Sequence, residues 1–521
     1  MSKIIQLNLP YNSNLEKELL KLHPKMEDYR VLNKSLDARK SNRGRTPKFN
    51  YSVELIFPGE SFEKLEEDFK DLGEITPRPI IIGAGPAGLF CALRLSEYGI
   101  PSIVLERGSR AHERMKKISK YWKNGELDPE NNVCFGEGGA GLFSDGKLIT
   151  RVKSPYIHYV MEKLVEFGAP EDILYLSNPH LGSNKIRPLI NKITEQLKKR
   201  GCEVYYEEKV TTFLTEDQKI IGVKTSGGKT LLSSNIVLAS GHSAKDLYYE
   251  LKDIGVAMVP KDFAIGVRIE HPRAVIDEIQ HGKFATEPLL GSAKYSLKYY
   301  DEKNGRGTYS FCMCPGGYVL SSGTDPNGLV ANGMSNFARN SHWSNSALVV
   351  TVKAGVDFPA KEDVLSGLKF IEKVERSAYE LSKSNATGKE LPAVTVEEFL
   401  QGKLNEKPLP ISSSPSHIFK ADLTKILPPF VISELKLALL EFDKKMPGFI
   451  SPNALLIAPE TRTSAPVTIL RDDESFMSTS HKNLYPCGEG AGYAGGITSS
   501  AVDGIKIAMS IIKREKATLR L

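Results

Sequence analysis

The stretch that decides the fold runs from Pro79 to Gly108 and reads PIIIGAGPAGLFCALRLSEYGIPSIVLERG. A short apolar run, Ile80 to Ile82, leads into Gly83, Gly85 and Gly88. A helical pattern then runs to Gly99, and a second apolar run, Ile103 to Leu105, ends on Glu106. Strand, glycine turn, helix and strand in this order predict a βαβ unit with G-x-G-x-x-G spacing. Gly83 allows the tight turn, Gly85 lets backbone approach a pyrophosphate, and Gly88 lets helix and strand pack closely. Pro86 and Ala87 open a helix whose unpaired N–H groups and positive dipole end suit phosphate. Glu106, followed by Arg107, ends the second strand, where a carboxylate can accept both hydrogen bonds of a ribose diol. The unit is expected to bind a dinucleotide, and by itself it fits NAD and FAD equally.

A second glycine device lies far downstream, in NLYPCGEGAGYAGGITSSAVDGIKIA from Asn483 to Ala508. It supplies a strand, Glu489 between Gly488 and Gly490, a turn at Gly495 and Gly496, and a new helix start at Ile497 and Thr498. Ala501, Ile505, Ala508 and Ile512 share one face of that helix. Such a device can meet a second part of one large cofactor, which favours FAD. Two further segments agree. LASGHSA, Leu238 to Ala244, carries Ser240 and Gly241 at a strand end. FGEGGAGLFSDGKLITR, Phe135 to Arg151, is a glycine-dense loop with Gly138, Gly139, Gly141, Ser144, Asp145 and Lys147, although its glycines could equally be plain turns.

These segments, with KSLDAR (Lys34 to Arg39), SFCMCPGGYV (Ser310 to Val319) and ETRTSAPVTILRD (Glu460 to Asp472), closely resemble a bacterial family described as uncharacterised FAD-dependent dehydrogenases. That family falls within the glutathione-reductase-like FAD/NAD(P)-binding superfamily. The likeness spans nearly the whole chain in the order of its motifs. It implies FAD as cofactor, with Glu489 meeting the ribityl or diphosphate region and the Gly496, Ile497 and Thr498 amides facing the flavin pyrimidine edge. It also implies that Ser240 and Gly241 lie near adenosine and diphosphate, and that the loop from Phe135 to Arg151 contacts flavin. The family name fixes no substrate.

The expected fold class is α/β: a Rossmann-type FAD-binding domain with an inserted mixed α+β substrate domain and a small N-terminal α/β module. The module, residues 1–75, shows alternation at Ile5, Leu7 and Leu9, helical spacing at Leu15, Leu19 and Leu22 behind Asn14, and alternation again at Tyr51, Val53 and Leu55. Phe62, Leu65, Phe69 and Leu72 predict a further helix before the Pro-rich joint at Thr76 to Pro79. The first part of the FAD domain is placed at 76–262. It includes a helix through Ile190, Ile193 and Leu197, a strand from Val204 to Tyr206, and a hairpin of Lys219–Thr225 with Thr230–Leu232. The inserted domain is placed at 263–449, with strands such as Gly266 to Glu270 and Ala347 to Val352 and a helix from Val364 to Leu381. The FAD domain then resumes at 450–521.

Composition narrows the function classes. The net charge of +6 is small beside 69 basic and 63 acidic residues, so no broad polyanion-binding surface is expected, and neither DNA nor RNA is an expected partner. The run Arg39, Lys40, Arg43, Arg45 and Lys48 reads as a solvated loop, its alternative being a contact for RNA or an acidic partner. Six scattered cysteines suggest neither a disulfide framework nor a zinc site, and no metal is expected. Without a leader pattern or a run of about 18 apolar residues, the expectation is a cytoplasmic protein with no membrane partner. Oligomeric state is left open.

For chemistry, only one full G-x-G-x-x-G occurs, so NAD(P)H or another electron carrier would bind transiently elsewhere. A small-molecule substrate is expected between the inserted domain and the flavin. Arg462 is a candidate to clamp a substrate carboxylate, its alternative being an ion pair with Glu460 or Glu489. Lys147 is a candidate to place charge near flavin N1, its alternative being an exposed turn lysine. Cys312 and Cys314 read either as a thiol relay or as two small buried residues beside a turn. His242 and His271 lie near motifs without an assigned role. The expected function is a FAD-dependent dehydrogenase or reductase of a small, carboxylated metabolite. The alternatives are a FAD-dependent monooxygenase, disfavoured by Glu489 where that group carries Asp, and a partner-binding or RNA-binding flavoprotein with FAD structural or sensory.

Overall fold

The computed structural model describes residues 3–39, 41–62 and 71–518. Lys40 and the predicted helical positions Leu65 and Phe69 lie outside them.

The N-terminal residues form an antiparallel sheet of Lys3–Pro10, Lys48–Ile56 and Asp28–Asp37, with Lys48–Ile56 in the middle. Asn14 caps the helix Leu15–Leu22 by accepting from the Lys17 N–H at 2.9 Å, which turns Leu19 onto Tyr51, Val53 and Leu55. The strand Asp28–Asp37 was missed because its sequence is polar and a register shift falls between Val31 and Asn33, which breaks the alternation. This strand anchors the module: Lys34 N–H donates to Tyr175 O at 2.8 Å, and Ser177 N–H donates to Lys34 O at 3.0 Å.

The architecture is α/β with a Rossmann-type layer. Five short parallel strands run in the order Leu484–Pro486, Ile236–Leu238, Ile80–Ile82, Ile103–Leu105 and Glu203–Tyr205. The three central strands are almost wholly buried and wholly aliphatic, as a parallel sheet covered on both faces requires. The hairpin of Lys219–Thr225 and Thr230–Leu232 forms as expected and is joined by Val210–Glu216. The helix Pro86–Glu97 and the C-terminal helix Ile497–Thr518 pack so closely that a Cβ at Gly504 would collide with the Ala87 carbonyl oxygen. A Cβ at Gly88 would collide with Gly83 O, in keeping with the packing role expected of that glycine.

The second layer is a seven-stranded mixed sheet centred on Phe263–Pro272, flanked by Trp343–Val352 and Leu455–Glu460. The helices Ser366–Asn385 and Pro429–Lys445 contribute to its core. Leu455–Glu460 belongs to this sheet by its pairing, so the expected division at 449/450 separates a strand from its own partners. Among the described residues no helix is long and apolar enough to cross a membrane.

The tight helix crossing gives a direct expectation. Gly504→Ala should lower the melting temperature by several degrees, because overpacking costs about 1–3 kcal/mol. Thermal unfolding followed by circular dichroism checks this, and an unchanged transition would show that the helices have room to part.

Candidate functional site

A cleft of about 380 Å³ opens at the carboxyl ends of four parallel strands, lined there by Ile82 and Gly83, Leu105 and Glu106, Ala239 and Ser240, and Cys487. This is where open α/β sheets bind ligands. The N-terminal ends of both close-packed helices reach it, through Gly85, Pro86 and Ala87 and through Gly495, Gly496 and Ile497. Each presents backbone N–H groups and a positive dipole end.

The glycines of the wall test whether a dinucleotide fits. Gly83 is glycine for the backbone, with φ of +106°, and for the close approach of Ala239. Gly85, Gly495 and Gly496 have neither reason. Their φ angles are ordinary, and a Cβ on them would meet nothing of the protein nearer than Gly139 Cα at 3.9 Å or Ser499 Oγ at 4.0 Å. Their missing side chains leave open the space in front of two helix N-termini, as close approach of a diphosphate and a second polar ligand edge demands.

Of the remaining predicted residues, Arg107, Gly139, Gly141, Ser144, Asp145, Lys147, Gly241, Glu489 and Arg462 line the cleft. Gly88, Gly138, Gly488 and Thr498 stand behind its wall. Gly138 N–H donates to Ala84 O at 2.8 Å, Gly488 N–H to Asp503 Oδ2 at 2.7 Å, and Thr498 Oγ1 to Leu148 O at 2.7 Å. Glu106 is more occupied than the sequence suggests. Its Oε2 accepts from Ala84 N–H, and its Oε1 accepts from Gly108 and Gly136 N–H, each at 2.9 Å. A carboxylate has roughly four acceptor positions, so one remains for a ribose hydroxyl where two were expected. Arg107 makes a bidentate pair with Asp246 at 2.9 and 3.1 Å.

The expected substrate clamp is filled from within the protein. Arg462 Nε and Nη2 each donate to Glu375 at 3.1 Å, and Nη1 donates to Ser243 Oγ at 3.2 Å. The partner is neither Glu460 nor Glu489. Glu460 lies 3.2 Å from the buried Arg268. Burial opposes the charge on Glu375, yet Arg462 and Lys245 hold its carboxyl down at about 2. Lys147 donates to Met313 O and lies 3.9 Å from Asp145, whose carboxylate also takes Arg339 and Ser335. Cys314 is buried as expected, whereas Cys312, at φ of +45°, is exposed and lines the cleft.

Sequence reasoning missed Glu375 and Arg114, and left His242 without a role. Glu375 falls on the buried stripe Leu368, Ile371, Ala378, and Arg114 on the stripe Ala111, Ile118, Tyr121. A charge inside an apolar helical stripe is the signal that could have found both.

Residues 77–257 match the model of the pyridine nucleotide-disulphide oxidoreductase family, and residues 262–463 match that of the FAD-dependent protein, C-terminal domain-like family. A Clostridium beijerinckii protein described as uncharacterized is 40% identical over 98% of both chains. The chain belongs to this family of FAD-dependent proteins. It is an oxidoreductase with FAD as its cofactor. Protein FixC of Escherichia coli is 25% identical over 38% of this chain and 44% of its own. The solved glycerol-3-phosphate dehydrogenase of Bacillus halodurans complexed with FAD aligns at 11% identity over 87% of this chain and 66% of its own, with a TM-score of 0.34. That likeness is too remote to bear on the reaction.

Two expectations follow for this FAD-dependent protein. Arg462→Met leaves Glu375 buried without its main partner, a change that costs about 3–5 kcal/mol. It should therefore lower the melting temperature and loosen flavin, measured by thermal scan and flavin release, whereas loss of substrate affinity alone would restore the clamp. Glu489 tests the electrostatics of the wall. Burial pushes its carboxyl up from 4.5 to about 7, against the pull of Lys261. A raised acid contributes stability that is full below its ordinary pKa and is lost as pH rises through the raised value. In protein stripped of flavin, Glu489→Gln should thus gain melting temperature over wild type on going from pH 5 to pH 8, and a constant difference would refute the shift.

Proposed function

We propose that this protein is a dehydrogenase or reductase that passes hydride between bound flavin and a small carboxylated metabolite. When bound, FAD supplies the hydride donor or acceptor at its N5. Gly83, Gly85, Glu106, Gly495, Gly496 and Glu489 would hold the cofactor.

The observation that carries the reading is the second wall of the cleft. Phe311, Cys312, Asn332 and Glu460 come from or adjoin the second layer and face the glycine-turn side across the same cavity, with Lys147 beside them. A substrate entering there is bounded by an aromatic ring, a thiol, an amide, the Glu460 carboxyl held by Arg268, and one ammonium group. An ammonium has three N–H donors. Lys147 gives one to Met313 O, and Arg339 already answers the Asp145 charge, so Lys147 keeps donors and net positive charge for a ligand carboxylate. Arg462 acts differently: through Glu375 and Ser243 it fixes the wall.

The test is anaerobic bleaching of the flavin against a panel of small carboxylated metabolites and their decarboxylated analogues, with NADH and NADPH included. A carboxylated compound should bleach the flavin, and Lys147→Met should raise its KM by about 10- to 100-fold, the size of one charge-assisted hydrogen bond, with FAD still bound. Equal reaction of the decarboxylated analogues would sink the anchor. Oxygen consumption coupled to a hydroxylated product would replace the reading with a monooxygenase.

A further inference from the structure

A second, smaller cavity of about 20 Å³ lies directly behind the cleft wall. Leu89 and Phe90 of the helix Pro86–Glu97, Leu164 of Tyr156–Glu166, and Leu189 and Ile190 of Gly182–Lys199 form its far side, and all of them are buried. Of the residues lining it, only Pro86, Gly141 and Ile497 are not buried, and these also line the cleft. The cavity therefore has one thin side, and that side faces the cleft. Gly141 has an ordinary φ, and a Cβ there would lie 3.0 Å from Ile497 Cγ1 and 3.9 Å from Pro86 Cγ. A glycine, a proline and an isoleucine in contact are all that separates the two spaces.

What the cavity can hold follows from its size and its wall. It exceeds the roughly 10–15 Å³ that one water-sized guest needs. Yet its surface shows no nitrogen or oxygen, and a buried water needs about two to four polar partners. Apolar cavities stay dry and take small apolar guests. Among the gases dissolved in water, dioxygen is the one that accepts electrons from a reduced flavin.

We infer that this cavity binds dioxygen behind the flavin and passes it into the cleft past Ile497, so that oxygen reoxidises the cofactor. A change of the Ile497 side-chain rotamer opens the passage beside Gly141. In the cleft, dioxygen takes a hydride equivalent, two electrons and a proton, from the anionic reduced flavin, and a second proton from solvent. Oxidised flavin and hydrogen peroxide are the products. This oxygen path rests on the cofactor seat proposed above, with flavin beside Gly496, and is independent of the carboxylated substrate.

Two measurements on the holoprotein test it. With the flavin oxidised, methyl NMR under dioxygen pressure reads where the paramagnetic gas resides. The methyl groups of Leu89, Leu148, Leu189 and Ile190 should broaden several times more than those of Leu348 and Leu435, which are fully buried in the second layer. Equal broadening overturns the inference even if no variant folds. The second measurement is stopped-flow reoxidation of photoreduced flavin. Leu189→Phe, which fills the cavity from its far side, should slow reoxidation by oxygen about tenfold. Reoxidation by ferricyanide, an anion too large for the cavity, should stay unchanged. Equal slowing with both acceptors, or no slowing with oxygen, overturns the oxygen path. Because light reduces the flavin here, this result and the carboxylate panel fail or succeed separately.

Discussion

The cleft depends on a guanidinium that, among the described residues, makes its hydrogen bonds to carbonyls and not to a carboxylate. Arg114 is fully buried and donates to Asn132 O and Glu137 O at 2.9 Å, to Val133 O at 2.8 Å and to Gly136 O at 3.3 Å. What this secures is the path of residues 132–137. Gly136, at φ of +115°, can pass only because it has no side chain: a Cβ there would lie 2.5 Å from Arg114 Cδ. From that position Gly136 N–H reaches Glu106, while Gly138 N–H reaches Ala84 O. The loop, the acid at the end of the second strand and the glycine turn are therefore one hydrogen-bonded object.

Where the two layers meet, the buried pair of Arg339 with Asp145 joins them, while Arg462 with Glu375 and Arg268 with Glu460 brace the second layer beside the cleft. Pairs of this kind gain little net stability, since desolvation of both charges offsets their attraction. Their value here is directional. Arg339 and Arg462 pair bidentately, which fixes two side chains in one plane, and every one of the three pairs has a member lining the cleft. The same desolvation explains why Arg462 does not wait for a substrate. An unpaired guanidinium in this wall would be a large penalty in the ligand-free protein, and Glu375 removes it.

Much of the first layer was legible because its signals are local. The aliphatic strands at Ile80 and Ile103, the glycine spacing and the second device near Glu489 each declare themselves within about thirty residues. The long inserted helix was also readable, from Val364 to Leu381 against Ser366–Asn385 as formed. The strand Asp28–Asp37 was not, because its pattern is polar and shifted. Nor was the sheet membership of Leu455–Glu460, which is set by pairing with Phe263–Pro272 nearly 190 residues away. Site partners suffer most from this distance. Glu375 and Arg462 are 87 residues apart, and only folding brings them together. Their sequence trace is faint: a carboxylate on the buried stripe of a helix, where apolar side chains belong.

The two kinds of residue around the cleft divide the work in a way that composition alone hides. Glycines without packing reasons mark where ligand atoms must come close, since there the protein withholds matter. Arginines mark the opposite: Arg107, Arg339 and Arg462 are all clamped by carboxylates of the chain itself, so none presents an empty fork. A planar, always charged group with five donors is hard to leave unsatisfied in a buried wall. The lysine ammonium at residue 147, smaller and partly solvated, can tolerate a shared partner and still receive a ligand anion. On the proposed function, the backbone and the absent side chains would hold the cofactor, arginine holds the wall, and discrimination among substrates would fall to the cleft-lining Lys147, Cys312, Asn332 and Phe311.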